Sequence, residues 1–186
     1  MGFFSSIKDM FSLMREIKNM KEMTPEERER ILSMSTDELS DLSDGDLLEA
    51  IDLRVDSKLL DSENVLDVFA SLNEIQKAFA YVQSYDGDMV ISIAYFFKGM
   101  NKVLAPYMSG ALETLGAYDH KRLFDNFVRE NGINLYDLSE FAVDGERQEK
   151  KLRKRYPIEQ YDEEFSQLKN LDEYLVEYIR MNIKEF

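Results

Sequence analysis

Four carboxylates recur at steps of three and four along one segment: Asp46, Glu49, Asp52 and Asp56. On a helix, at roughly 100° per residue, that spacing gathers them into one stripe, with successive turns about 5.4 Å apart along the axis. The repeat is comparable to that of phosphates along a nucleic-acid strand. Such a row suits one of two tasks: presenting a nucleic-acid-like charge pattern to a basic protein, or keeping a helix face solvated. Asp41 and Asp44 extend it, so the candidate partner-binding set is Asp41, Asp44, Asp46, Glu49, Asp52 and Asp56.

A second group points to different chemistry. Tyr95, Phe96 and Tyr107 could line a pocket for a small ligand or a hydrolase substrate, although aromatic side chains also bury large areas in ordinary cores. The single histidine, His120, follows Asp119 at an expected helix start, without a triad or a His-Glu motif, and is expected to face solvent near a cap. Asp44-Gly45-Asp46 and Asp86-Gly87-Asp88 lack the continuation of a calcium loop and read as caps and turns. No catalytic residue, metal site or cofactor is expected. Arg147 to Arg155 carries six bases among three acids, counted from Asp144; it reads as a solvated helix or an internal partner for acidic helices, with a phosphate-binding patch as the alternative.

The composition narrows the field. With 186 residues, 44% of them hydrophobic, the chain can bury a substantial core; its net charge is -14. That charge repels nucleic acid and anionic membranes, so direct binding to either is not expected. Cysteine is absent, which excludes disulfides, thiolate metal sites and cysteine nucleophiles and fits a reducing, cytoplasmic setting. The most apolar run, Met89 to Ala117, is broken by Lys98, Lys102 and Glu113, so no membrane span is expected. The start, Met1-Gly2-Phe3-Phe4-Ser5-Ser6, fits a loose myristoylation pattern but not a signal peptide.

The elements that would carry these residues are helical throughout. Phe3, Phe4, Ile7, Met10, Phe11, Met14, Ile17 and Met20 form one apolar stripe, a greasy surface that can pack on its own domain, form a homodimer or dock on a partner. Thr24-Pro25-Glu26-Glu27 reads as a capping box opening a helix to about Ser33. Ser35 to Asp67 holds eleven acids against Arg54 and Lys58, with Leu48, Ile51, Val55 and Leu59 as its inner stripe. Leu66 to Tyr85 reads as one helix ended by Asp86-Gly87-Asp88, and the Met89 to Ala117 run as a central helix pair punctuated by Gly99, Pro106 and Gly110. Asp119 is the expected cap of a helix through Arg129, closed by Asn131-Gly132. A looser stretch, the basic helix stopped by Pro157 and two further helices complete the chain.

From about Ser35 onward the order of features resembles the DNA-mimic protein family, small acidic all-helical bacterial domains mostly of unknown function. The resemblance is carried by Leu47-Leu48-Glu49-Ala50, Leu72-Asn73-Glu74, Tyr95-Phe96-Phe97 and Ala111-Leu112 with Gly116-Ala117. It continues in Tyr161-Asp162-Glu163-Glu164-Phe165 and Tyr178-Ile179-Arg180 with Asn182. One departure is plain: the family's Asn-Gly-Gly-Phe-x-Gln run is replaced by Met89-Val90-Ile91-Ser92-Ile93-Ala94. The resemblance implies an all-α fold, no catalytic machinery and a transcription regulator as a type of partner.

The expected protein is therefore all-α: a single compact multi-helix bundle with an added N-terminal amphipathic helix. Residues 1–34 form the arm and residues 35–186 the acidic domain. Its expected role is that of a non-catalytic acidic protein-binding module, a DNA mimic for a basic DNA-binding or regulatory protein. The alternatives are a ligand-binding protein or hydrolase using the central aromatic block, and an immunity-type protein that neutralises a basic toxin.

Overall fold

A computed structural model describes residues 23–59, 64–143 and 145–186. The expected first helix, beginning at Phe3, and its self-docking or dimer-forming role lie outside the described residues. In chain order the α-helices are α1 Pro25–Ser33, α2 Thr36–Ser40, α3 Asp44–Ser57, α4 Val65–Val68, α5 Glu74–Met89, α6 Ile93–Lys98, α7 Ala105–Thr114, α8 Tyr118–Glu130, α9 Glu146–Arg155, α10 Ile158–Ser166 and α11 Leu171–Met181. Short 3-10 turns occupy Phe69–Ser71, Met100–Leu104, Ser139–Phe141 and Ile183–Glu185, and no strand occurs among the described residues. The all-α expectation is borne out. Contacts divide the chain into two units, one of residues up to Ala80 with Val176–Phe186, the other Tyr81–Leu175.

The first unit opens with three helices started by the same local chemistry. Thr24 accepts from the Glu27 amide at 3.2 Å while its own amide donates to the Glu27 carboxylate at 2.9 Å, the expected capping box. Ser35 and Glu38 repeat this reciprocal pair, and Ser43 accepts from the Asp46 amide at 3.3 Å. Each cap satisfies an amide that the helix start leaves without a carbonyl. Leu47, Ala50, Ile51, Leu53 and Val55 of α3 are buried. Leu48, expected on the inner stripe, is half-buried, because α3 buries a wider arc centred one residue earlier.

Arg54 ties α1 to α3. Its Nε and Nη2 donate to the Ile31 carbonyl at 3.1 and 3.0 Å, and Nη2 also donates to the Met34 carbonyl, so a guanidinium closes the C-terminal end of α1. Arg54→Gln is expected to cost about 1.5 kcal/mol, the scale of hydrogen bonds from a charged donor. The readout is faster amide hydrogen exchange in α1 than in α3; equal exchange in variant and parent would refute the tie.

Leu66 to Tyr85 is not one helix. Leu72 is extended, and Asn73 starts α5 afresh by accepting from the Gln76 amide at 2.8 Å. Helix α5 then runs through Asp86-Gly87-Asp88 to Met89 rather than stopping there, because the Asp88 side chain finds a buried partner in Asn101. The central run is helical, as expected, but Val90 and Ile91 at its start are exposed, and Gly110 lies inside α7 rather than breaking it.

The core of the second unit is a continuous set of rings. Phe97 lies 4.9 Å from Phe141 and 6.2 Å from Phe124, and Tyr85 lies 5.0 Å from Phe96, centroid to centroid. Asn131-Gly132 closes α8, with Gly132 at φ 61, as expected. Asp119 is not its cap: Ala117 holds that position, and Asp119 pairs with Arg122 at 2.7 Å in the first turn.

Candidate partner-binding surface

The structure separates α3 into an oily face and an acidic one. Asp41, Asp44, Asp46 and Glu49 are exposed, whereas Asp52 and Asp56 are half-exposed and engaged in interactions of their own. The row is thus not uniform. Asp44 is committed to Arg180, whose Nη2 reaches it at 2.6 Å while also donating to the Leu42 carbonyl at 3.0 Å. Asp46 is exposed and accepts from the Ser43 hydroxyl at 2.6 Å. Among the described residues, no ion pair forms at Asp41, Asp46 or Glu49.

Beside this face runs a groove of about 410 Å³ between α1 and α3. Met23, Ile31, Met34, Leu42 and Ala50 supply its apolar lining; Asp46 and Glu49 stand on the α3 side, Glu27 and Arg30 on the α1 side. Sequence reading missed it. Its lining comes from two segments, Met23 to Met34 and Leu42 to Ala50, and no local spacing shows that they face each other.

The aromatic candidates are split by the structure. Phe96 is fully buried among Tyr85 and Phe97, whereas Tyr95 and Tyr107 are exposed, the latter against Tyr81 at 5.9 Å. Phe96 is therefore a core ring.

His120 requires correction. It is 2% exposed, not solvent-facing; its Nε2 donates to the Lys169 carbonyl at 2.7 Å, and its ring packs against Phe165 at 4.9 Å. Burial lowers its pKa, and Nδ1 has no partner, which marks a neutral imidazole protonated on Nε2. The first turn of α8 faces the ring cluster, so a residue expected near a solvated cap is turned inward. Other buried polar groups are likewise structural. Tyr85 and Tyr161 share a hydrogen bond between their hydroxyls, and burial raises the pKa of both. Among the described residues, no group of three or more His, Asp or Glu side chains is placed to hold a metal ion, and no helix is long and apolar enough to cross a membrane.

The basic helix α9 is solvated apart from Leu152. Its ion pairs are with nearby acids: Lys150 with Glu146 at 2.5 Å, Arg153 with Glu159 at 2.8 Å and Arg155 with Glu140 at 2.6 Å.

The residues that carried the family resemblance have positioning roles. Asn73 caps α5, Arg180 clamps the α2–α3 junction, Asp162 accepts from the Ile93 amide at 2.9 Å and so holds the start of α6, and Gly116 takes φ 75 in the turn before α8. Tyr178 donates to the Ile75 carbonyl at 3.4 Å. A family model described as DMP19-like protein matches residues 70–182, more than half of the chain. The six candidate carboxylates precede that stretch. No curated protein and no solved structure matches.

Proposed function

The chain belongs to the DMP19-like protein family, and from that premise we propose that it is a non-catalytic acidic module that occupies the nucleic-acid site of a basic, DNA-binding protein. The observation that carries this reading is the outward face of α3. Asp46 and Glu49 lie one turn apart, exposed, on a helix that buries Leu47, Ala50, Ile51, Leu53 and Val55. Carboxylates held outward on a rigid helix can replace phosphates at a basic surface and release the counterions that surface would otherwise hold. A regulator of transcription is the kind of partner this chemistry fits, met in the cytoplasm.

The test is capture from the native source at low and high salt, followed by affinity measurement with the DNA-binding protein recovered. Asp41→Lys with Glu49→Lys is expected to weaken binding at least about tenfold and to flatten the dependence of log affinity on log salt. Both positions are exposed and free of ion pairs, so the fold stays intact by circular dichroism. Unchanged affinity and an unchanged salt slope would overturn the proposal.

A further inference from the structure

We propose that the α1–α3 groove is an anchor site for a basic amphipathic helix, so that the acidic face is read through an apolar contact as well as through charge. This rests on the reading of the α3 face as partner-binding and names the partner's chemistry. The groove is about 410 Å³, with Ile31, Met34, Leu42 and Ala50 in its lining and Asp46 and Glu49 along one edge. Purely electrostatic mimicry of a phosphate backbone has no use for the half-buried Ile31, Met34 and Leu42 that lie among the charges. A helix with apolar side chains at steps of three and four, flanked by lysine or arginine, matches both features at once.

The arrangement also sets an orientation. Asp46 and Glu49 both attract cations to the α3 edge, whereas on the α1 edge Arg30 offsets the attraction of Glu27. The ligand helix therefore lies with its basic flank toward α3 and its apolar side chains in the groove. Methionines at Met23 and Met34 give the lining an adaptable surface, suited to anchors of differing shape. A few desolvated apolar contacts ringed by charge supply most of the energy in such interfaces, and the charges supply the encounter rate. The chain's net charge of -14 disfavours a second copy as the occupant. The groove precedes residues 70–182, so it is a feature of this chain outside the family-matched stretch.

Two fluorescein-labelled helical peptides of equal charge serve as probes for the full chain: one alternates leucine and lysine amphipathically, and in the other glutamine replaces every leucine. Fluorescence anisotropy is expected to show the leucine peptide binding at least about tenfold more tightly, the scale of one buried anchor. Met34→Glu, which makes the chain more acidic, is expected to weaken the leucine peptide about tenfold and to leave the glutamine peptide unchanged or tighter. Met23→Glu, placed in the coil before Thr24, repeats the test outside α1 and α3.

Equal binding of the two peptides, or tightening of both by Met34→Glu and Met23→Glu, would overturn the groove while leaving the charge reading intact. Loss of salt-sensitive capture by the parent chain would instead remove the reading beneath it. An unliganded dimer in light scattering that Met23→Glu splits would also overturn the proposal, since the groove would then belong to a second copy.

Discussion

Phe97→Ala is expected to lower the stability of the folded chain by about 3–5 kcal/mol, a large share of what a domain of this size has to lose. Phe97 is fully buried, and its ring meets four others: Phe96 at 5.6 Å, Phe124 at 6.2 Å, Phe127 at 6.4 Å and Phe141 at 4.9 Å. These belong to α6, α8 and the Ser139–Phe141 turn, so the space left by the ring cannot close by moving one element. The lost transfer energy and the cavity add together. Tyr95→Ala, two residues earlier, is expected to cost far less, about 1 kcal/mol, because Tyr95 keeps 39% of its surface exposed. Urea midpoints of the two variants separate a core block from a pocket wall. A Tyr95 variant as unstable as the Phe97 variant would refute the division.

Helix boundaries were legible wherever a backbone cap is written in neighbouring residues. Thr24-Pro25-Glu26-Glu27 sets α1, and Asn131-Gly132 ends α8 with the glycine at positive φ, both as read from the sequence. Misreadings arose where a distant partner overrode the local pattern. Asp86-Gly87-Asp88 carries turn-forming residues, yet α5 runs through it because Asp88 pairs with Asn101 in the interior. The continuous apolar periodicity from Leu66 onward concealed the break at Leu72, since Phe69 and Leu72 stay buried across it.

The candidate surface was legible in charge but not in geometry. Periodicity places Asp46, Glu49, Asp52 and Asp56 on one stripe, and the structure leaves the first two outward while engaging the last two. That difference depends on what packs beside each turn of α3, which spacing alone does not encode. Arg180, far along the chain, neutralises Asp44, and no local rule pairs residues so far apart. His120 was misplaced for the same reason. Its side chain answers to Lys169 and Phe165, contacts that exist only once α8 and α10 are packed.

The Asp88–Asn101 pair leads to a second large effect: Asp88→Asn is expected to stabilise the chain by about 3 kcal/mol near pH 8 and by far less near pH 4, at 1.36 kcal/mol per unit of pKa shift. Asp88 is 2% exposed, and its carboxylate has one partner, the Asn101 amide at 3.0 Å. Burial raises its pKa from 3.8 to about 6, against the opposing pull of that hydrogen bond. Between those values the folded chain holds a proton that the unfolded chain has released. Stability from this residue is therefore complete below 3.8 and is lost as pH rises through about 6. Asn101 Oδ1 is buried without a partner. A proton on Asp88 can donate to it and close a two-bond acid–amide pair, and the amide of an asparagine at position 88 can do the same at any pH. His120, whose lowered pKa works in the opposite direction, is common to both proteins, so the difference between their urea midpoints isolates Asp88. A difference that does not change between about pH 4 and pH 8 would show that the buried carboxyl keeps its ordinary pKa and that the pair carries no proton.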